Sequence, residues 1–153
     1  MCHKDEIFLS YVAGFLDGEG CINIKRKHKK GDFSGYGLRT VICNTNLKVL
    51  EYIKSKLGGC LIETNKKQLK TSSKKLYKLT FADSKAKELL EKIFPFLIVK
   101  RDQAEWAIKV NFSPNFRPTS IKEFKNREVI RNKIHLLNLG TRSPQRTWKG
   151  NSL

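Results

Sequence analysis

Residues 11–20 read Tyr-Val-Ala-Gly-Phe-Leu-Asp-Gly-Glu-Gly (YVAGFLDGEG), and they close a helix that the apolar spacing predicts over residues 5–17. Gly14 and Gly18 are four residues apart, with Ala13 beside them, so one face of this helix carries small residues. Small residues at this spacing allow two helix backbones to pack closely. The interface predicted between two copies of the helix consists of Tyr11, Ala13, Gly14, Asp17 and Gly18.

An acidic residue, Glu19, follows the predicted end of this helix, where the last carbonyl groups have no partner within the helix. Carboxylate and carbonyl oxygens are the ligands that hard divalent cations such as Mg²⁺ favour. Two such helices packed across a two-fold axis would bring two carboxylates together, an arrangement that suits metal ions and two phosphodiesters. The spacing alone fits an ordinary amphipathic helix ending in a glycine turn equally well.

The charge of the chain points to a polyanionic partner. Its 153 residues include 31 Lys and Arg against 14 Asp and Glu, a net charge of +17. Nucleic acid is the first candidate and an anionic membrane surface the second. The 9 Phe, 4 Tyr and 2 Trp suffice for a core, so we expect one folded domain over residues 1–139 and a basic, flexible tail over 140–153.

The four cysteines, Cys2, Cys21, Cys43 and Cys60, are scattered along the chain without a Cys-x-x-Cys pair. A structural zinc site therefore has no support, since its ligands usually come in closely spaced pairs. We expect reduced thiols partly buried in the core, as in an intracellular protein. No apolar stretch near the start is long enough to cross a bilayer.

Hydrophobic periodicity predicts the order α-β-β-α-β-β-α with a helical extension. This order makes an α+β fold: one four-stranded antiparallel sheet with helices on one face and a basic face left open. After the first helix, the predicted elements are strands 21–29 and 37–45, a helix capped by Asn46 and ending near 57, strands 60–66 and 75–81, and helices 83–94, 101–110 and 120–139.

The open sheet face is predicted to bind DNA, because cations dominate it and a two-stranded ribbon fits the major groove. A merely solvated face is the alternative. The candidates are Lys25, Lys27, Lys29, Arg39, Lys78 and Thr80, with Glu63 or Asn65 on the third strand, and Arg142 in the tail on phosphates.

The stretch YVAGFLDGEG resembles the LAGLIDADG motif of homing endonucleases, and residues 95–104, PFLIVKRDQA, resemble the proline-to-lysine segment of that family. The resemblance implies the αββαββα fold. With one motif copy, it also implies a homodimer that hydrolyses both strands of a long pseudo-palindromic DNA site across the minor groove. The implied cofactor is Mg²⁺, with Mn²⁺ or Ca²⁺ able to substitute for binding.

The same resemblance implies roles for individual residues. Glu19 and the Gly18 carbonyl match the metal ligands, and Asn46 matches a polar residue that orders water. Lys100 matches the basic residue at the scissile phosphate, and Gln103 matches a further catalytic-segment residue.

Two positions of the motif region are less defined. Asp17 is interpreted as structural, satisfying donors at the helix interface rather than binding metal. No counterpart is found for an arginine that the family sometimes has early in the second helix, and Lys48 is the nearest basic residue.

Two other functions remain open from the sequence. The runner-up is an intron-encoded RNA maturase with the same fold, for which intron RNA would be the partner, and the third is a non-catalytic basic protein of the ribosomal kind. Richness in Lys, Asn and Ile favours an organellar (chloroplast or mitochondrion) or microbial origin, so we expect an intracellular location without a targeting signal.

Overall fold

The computed structural model describes residues 3–26, 36–64, 75–110 and 120–140. The predicted order of elements is confirmed, and a 3₁₀ turn at Phe94–Phe96 lies between two of the helices. The elements are α1 (His3–Glu19), β1 (Gly20–Arg26), β2 (Tyr36–Asn44), α2 (Leu47–Leu57), β3 (Cys60–Glu63), β4 (Tyr77–Ala82), α3 (Ser84–Ile93), α4 (Arg101–Ile108) and α5 (Ile121–Gly140).

The four strands form one sheet in the order β1-β2-β4-β3, and every neighbouring pair is antiparallel. Thr40 of β2 lies opposite Ile22 on one side and Phe81 on the other, while Leu79 lies opposite both Ile42 and Leu61. The first helix thus leads directly into an edge strand, while the fourth strand lies inside the sheet between the second and the third.

One face of the sheet is buried under the helices, as the alternation predicted. Its apolar side chains, and those that the helices place against them, form a single core, and helical burial recurs at three- and four-residue spacing. Members of this core include Ile22, Leu38, Ile42, Leu79 and Phe81 from the sheet, with Leu16, Leu50, Leu90 and Ala104 from the helices.

The first helix is longer than predicted and includes Gly18 and Glu19. The prediction that Glu19 lies beyond the helix end is therefore wrong: it is the last helical residue. The turn into β1 comes at Gly20, where an added Cβ would lie 2.6 Å from the Leu16 carbonyl oxygen. Only glycine fits that close approach, so the strand starts immediately after Glu19.

Local signals set the ends of α2 as predicted. The side chain of Asn46 accepts a hydrogen bond from the Val49 N–H, and Gly58 ends the helix with a φ of 75°, a conformation that favours glycine.

The last helix packs against α4 and along the free edge of β1. Asn138 donates a hydrogen bond from Nδ2 to the Ile22 carbonyl oxygen at 2.9 Å, and the rings of Phe124 and Tyr36 lie 5.4 Å apart. This edge of the sheet is therefore covered by the chain itself. Beyond Gly140 the predicted tail lies outside the described residues. In the part of the chain that is described, no helix has the length and apolar character to span a membrane.

Candidate active site and nucleic-acid interface

Asp17, in the last turn of α1, binds the segment that precedes α4. Its carboxylate accepts backbone hydrogen bonds from Ile98 at 2.8 Å, Val99 at 3.1 Å and Lys100 at 2.9 Å. In return, the Lys100 ammonium donates to the Asp17 backbone carbonyl. Asp17 does satisfy backbone donors, but within its own chain, and both of its carboxylate oxygens are used there. The Lys100 side chain is thereby held against the last turn of α1, at the residue that precedes Gly18 and Glu19.

The Glu19 carboxylate is exposed at the end of α1. Within the described ranges it makes no hydrogen bond and no ion pair, in contrast to Asp17. It is close enough to Cys43 of β2 to influence the titration of that thiol. Glu19 is therefore available to bind a cation at the point where α1, β1 and β2 meet.

The thiol of Cys43 reports the electrostatics of this region. Burial raises the pKa of Cys43 above its ordinary value of 9.0; Lys78 lowers it, while Cys21 and Glu19 raise it further. The thiol is consequently neutral near pH 7. Cys43 therefore lies near both Glu19, at the end of α1, and Lys78 of β4, which is directly opposite it in the sheet.

The donors present fit a hard divalent cation that is completed by substrate. Among the described residues no three His, Cys, Asp or Glu side chains are grouped as a metal site. The chain offers the Glu19 carboxylate and the nearby Gly18 carbonyl. Mg²⁺ commonly takes only one or two protein carboxylates, with water and substrate phosphate as its other ligands. This donor set suits such an ion and does not suit a closed structural site.

Asn46, predicted to order water, is occupied as the cap of α2. Its backbone N–H donates to the Asn44 side chain at 2.8 Å, while its own side-chain oxygen accepts from Val49 at 3.4 Å. The catalytic role of Asn46 stays a prediction. Lys48 is exposed on α2 and stays the nearest basic residue to the place where the family sometimes has an arginine.

Gln103, predicted as catalytic, is only 1% exposed. It lines a cavity of about 310 Å³ between α4 and α5, together with Val99, Asp102 and Lys133. Burial at that depth does not support direct contact with a DNA phosphate. Gln103 lies in the first turn of α4, three residues after Lys100.

The second face of the sheet, here named the open face, carries Lys25, Arg39, Lys78 and Thr80 together, as predicted. The strand register shows which other residues share this face, and they include apolar and thiol side chains that the charge pattern did not indicate. The described residues of the open face are Cys21, Asn23, Lys25, Gly37, Arg39, Val41, Cys43, Cys60, Ile62, Lys78, Thr80 and Ala82.

Two corrections concern this face. The cysteines at 21, 43 and 60 are free thiols on the open face, not core residues. Glu63 shares the parity of Leu61, on the helix-covered side of the sheet. Its Oε2 forms an ion pair with the Lys75 Nζ at 3.4 Å. Its assignment to the open face is therefore wrong. The candidates that lie outside the described residues are Lys27, Lys29, Asn65 and Arg142.

The predicted dimer surface of α1 is largely exposed. Gly14 and Gly18 are exposed, and a Cβ added to either would meet no described atom within 4 Å. Tyr11 is 48% exposed on the same stripe. Ala13, however, is fully buried in the protein's own core, so its assignment to the interface is wrong.

The segment held by Asp17 adds two apolar side chains beside this helix that the sequence analysis missed. Ile98 is 85% exposed and Val99 57% exposed. Their position next to α1 depends on hydrogen bonds between residues more than 80 positions apart, which no local pattern indicates.

A family model described as LAGLIDADG endonuclease matches residues 12–101, which is more than half of the chain. The chain belongs to the LAGLIDADG endonuclease family. The matched range begins inside α1 and ends at Arg101, so it contains both Glu19 and Lys100. A comparison with curated proteins gave no significant match.

Solved LAGLIDADG structures extend the likeness to almost the whole chain. The homing endonuclease I-CvuI in complex with its target is 22% identical, with a TM-score of 0.74 over 95% of this chain and 89% of that one. The archaeal intron-encoded I-Vdi141I, complexed with DNA, is 22% identical, with a TM-score of 0.71 over 87% of this chain and 85% of that one.

A further relative differs in length. For the meganuclease I-SmaMI bound to uncleavable DNA, at 17% identity and a TM-score of 0.56, the match covers 86% of this chain but 44% of that one. This LAGLIDADG chain therefore corresponds to less than half of I-SmaMI and to nearly all of I-CvuI.

Proposed function

We propose that this protein is a site-specific DNA endonuclease that hydrolyses phosphodiesters on both strands of a long, pseudo-palindromic site, across the minor groove, as a homodimer. The observation that carries the proposal is the position of Glu19. Its carboxylate, without a partner among the described residues, ends the motif helix at the inner edge of an open, cation-bearing sheet face. The solved relatives support a DNA substrate, since I-CvuI and I-Vdi141I are bound to DNA in their structures.

The homodimer is supported by what one protomer offers. Its described residues supply a single available carboxylate at the site, Glu19, and a second copy would supply one reaction centre for each strand. The stripe of Tyr11, Gly14 and Gly18 leaves room for a second helix, and Ile98 with Val99 adds apolar surface beside it. The half-length match to I-SmaMI is consistent with a second copy completing the enzyme.

Each protomer's own residues would position one scissile phosphate. Glu19 and the Gly18 carbonyl would hold a divalent cation, for which Mg²⁺ is our proposal. When bound, such an ion neutralises phosphate charge and lowers the pKa of bound water. Lys100, fixed against the Asp17 carbonyl, would place a positive charge where the transition state gains negative charge. Because Asp17 holds this lysine in advance, little reorganisation is needed during reaction.

Electrostatics should dominate binding to DNA. The net charge of +17 per chain would draw the dimer to phosphates regardless of sequence. If the dimer neutralises about ten phosphates, the logarithm of the binding constant should fall with the logarithm of salt concentration at a slope of roughly −9. Lys25, Arg39 and Lys78 on the open face would contribute to this slope and also contact bases.

The experiment that tests the proposal is cleavage of a randomised DNA-site library by the purified protein, with Mg²⁺ and with EDTA, with Mn²⁺ and Ca²⁺ as further arms. The expected result is recovery of one pseudo-palindromic site that is cut on both strands with Mg²⁺ and is not cut with EDTA. Failure to cut any DNA, with tight binding to structured intron RNA, would contradict it and favour a maturase.

A further inference from the structure

The register of the sheet arranges the open face in rows that run across the strands. The row nearest Glu19 holds Cys43, Lys78 and Ile62. The next row holds Cys21, Val41, Thr80 and Cys60, one residue from each of the four strands. The third row holds Asn23, Arg39 and Ala82, and the fourth holds Lys25 and Gly37.

The second row, here named the apolar row, differs chemically from its neighbours. None of its four side chains is charged, while the rows on either side each contain a cation, Lys78 or Arg39. Cys21 and Cys60 are exposed, Val41 and Thr80 are partly exposed, and the two thiols are free. The apolar row is therefore a continuous uncharged band across the whole accessible width of the sheet.

Such a band suits one kind of base pair in the major groove. Thymine presents a C5 methyl group there, which Ala, the Thr methyl and similar apolar groups contact. A G·C pair presents no methyl group in the major groove, only the guanine N7 and O6 acceptors and the cytosine amino donor, so valine and cysteine gain no apolar contact from it. Lysine and arginine, in contrast, form good hydrogen bonds to guanine O6 and N7.

The distance between rows indicates how many base pairs each row spans. Residues that share a face are two apart, so rows are about 6.8 Å apart along an antiparallel strand. Base pairs are spaced at about 3.4 Å, so each row spans about two base pairs. Because β1 begins directly after Glu19, the order of rows from the cleavage centre outward is fixed by the fold.

We propose that the apolar row selects thymine at two adjacent base pairs of each half-site through the thymine methyl groups. These pairs lie between an inner position contacted by Lys78 and an outer position contacted by Arg39. The proposal rests on the proposed DNA endonuclease function and adds the chemistry of the substrate sequence to it.

The experiment replaces thymine by uracil, one position at a time, in the target recovered from the library, because this removes only the methyl group. We expect each such replacement to raise the dissociation constant about fourfold, at two adjacent positions per half-site. Val41→Ala shortens the side chain, so it should reduce the difference between thymine and uracil at the position that Val41 contacts. The matched control is Val129→Ala, at an exposed valine on α5, which should keep that difference.

Each outcome bears on the proposal. A specific target that tolerates uracil everywhere, or that carries G·C pairs between the two cation-contacted positions, would overturn the inference about the apolar row while leaving the endonuclease function intact. Uracil sensitivity that is undiminished in Val41→Ala at every position would overturn the assignment to this row. If no DNA sequence is bound preferentially, the proposed function and this inference both fail.

Discussion

Asp17 and Lys100 are joined twice, once through each residue's backbone. The Asp17 carboxylate accepts the Lys100 N–H at 2.9 Å, and the Lys100 ammonium donates to the Asp17 carbonyl. The first acid of the motif thus fixes the lysine, while the second, Glu19, has no partner among the described residues. This division explains why two acids two residues apart in one helix turn can have different tasks.

Replacing Asp17 should therefore impair both stability and cleavage. In Asp17→Asn one acceptor oxygen becomes an N–H₂ donor that must face a backbone N–H of this segment, and the charge that strengthened three hydrogen bonds is removed. We expect the free energy of unfolding to fall by about 2–3 kcal/mol. The cleavage rate of the remaining folded protein should drop more than its affinity for DNA, as measured by single-turnover kinetics beside equilibrium binding.

The matched control for this variant is Asp5→Asn, in the first turn of the same helix, where the side chain is exposed. It should lose no more than about 1 kcal/mol from the helix-dipole interaction and cut normally. If Asp17→Asn cut DNA as fast as the unmodified protein, Lys100 would not need this anchor.

Gly14 offers a test of the dimer. In Gly14→Leu the new side chain meets no described atom of its own protomer, so folding should be retained or slightly improved. Two helices packed at this residue would be forced apart, which should weaken dimerisation by roughly 1–3 kcal/mol. Analytical ultracentrifugation over a concentration series measures this change.

Gly140→Leu is the control for that variant, because Gly140 is also helical and has open space around its Cβ position among the described residues. It should leave the dimer unchanged. A Gly14→Leu protein that still sediments as the parental dimer would place the two-fold interface elsewhere.

The free thiols provide a footprint of the open face. At pH 8, iodoacetamide should modify the exposed Cys21 and Cys60 faster than Cys43, since burial raises the pKa of Cys43 and less reactive thiolate is present. Bound target DNA should slow modification of all three, followed by mass spectrometry. A cysteine introduced by Ser55→Cys, exposed on α2 in the helical layer, should react equally with and without DNA. Equal protection of that cysteine by DNA would argue that the open face is not the binding surface.

The raised pKa of Cys43 also predicts that the free energy of unfolding falls at alkaline pH. The unfolded chain would lose the Cys43 proton near its ordinary pKa of 9.0, while the folded protein retains it. The unfolded state therefore binds fewer protons above that pH, and this thiol makes stability fall as pH rises. Urea denaturation of the parent and of Cys43→Ser between pH 8 and pH 10 measures the effect, and an equally steep fall in the variant would contradict it.

Thr40 gives a prediction about the core. Its side chain is fully buried between Ile22 and Phe81 in the register, and its hydroxyl has no hydrogen-bond partner among the described residues. Thr40→Val should raise the free energy of unfolding by about 1–2 kcal/mol, because an unpaired buried hydroxyl is costly. The same change at Thr80, on the open face, should alter stability by less than about 0.5 kcal/mol. Urea denaturation distinguishes the two; a less stable Thr40→Val protein would indicate that the hydroxyl has a partner.

Local chemistry made much of the fold predictable. The alternation along β1 and β2, the cap at Asn46 and the glycines after Leu57 each depend on neighbours within a few residues. The site was less predictable for a physical reason. Apolar residues lie on several sides of α1, so its sequence did not say which side faces the core, and Ala13 was assigned to the wrong one.

Glu63 illustrates a second limit. A shift of one residue in strand parity moves every side chain to the other face, and β3 is only four residues long. The link between Asp17 and Lys100 joins residues 83 positions apart, and only the packed structure brings them together.

Cleavage of the recovered target by Glu19→Gln separates the proposed cation-binding role of Glu19 from DNA binding. Glutamine keeps the shape of the side chain but lacks the charge that would hold a divalent cation. We expect DNA affinity to stay within about twofold, because no positive charge is removed, while cutting of both strands with Mg²⁺ is abolished. A Glu19→Gln protein that still cuts the site in the presence of Mg²⁺ would show that the Glu19 carboxylate does not hold the catalytic cation.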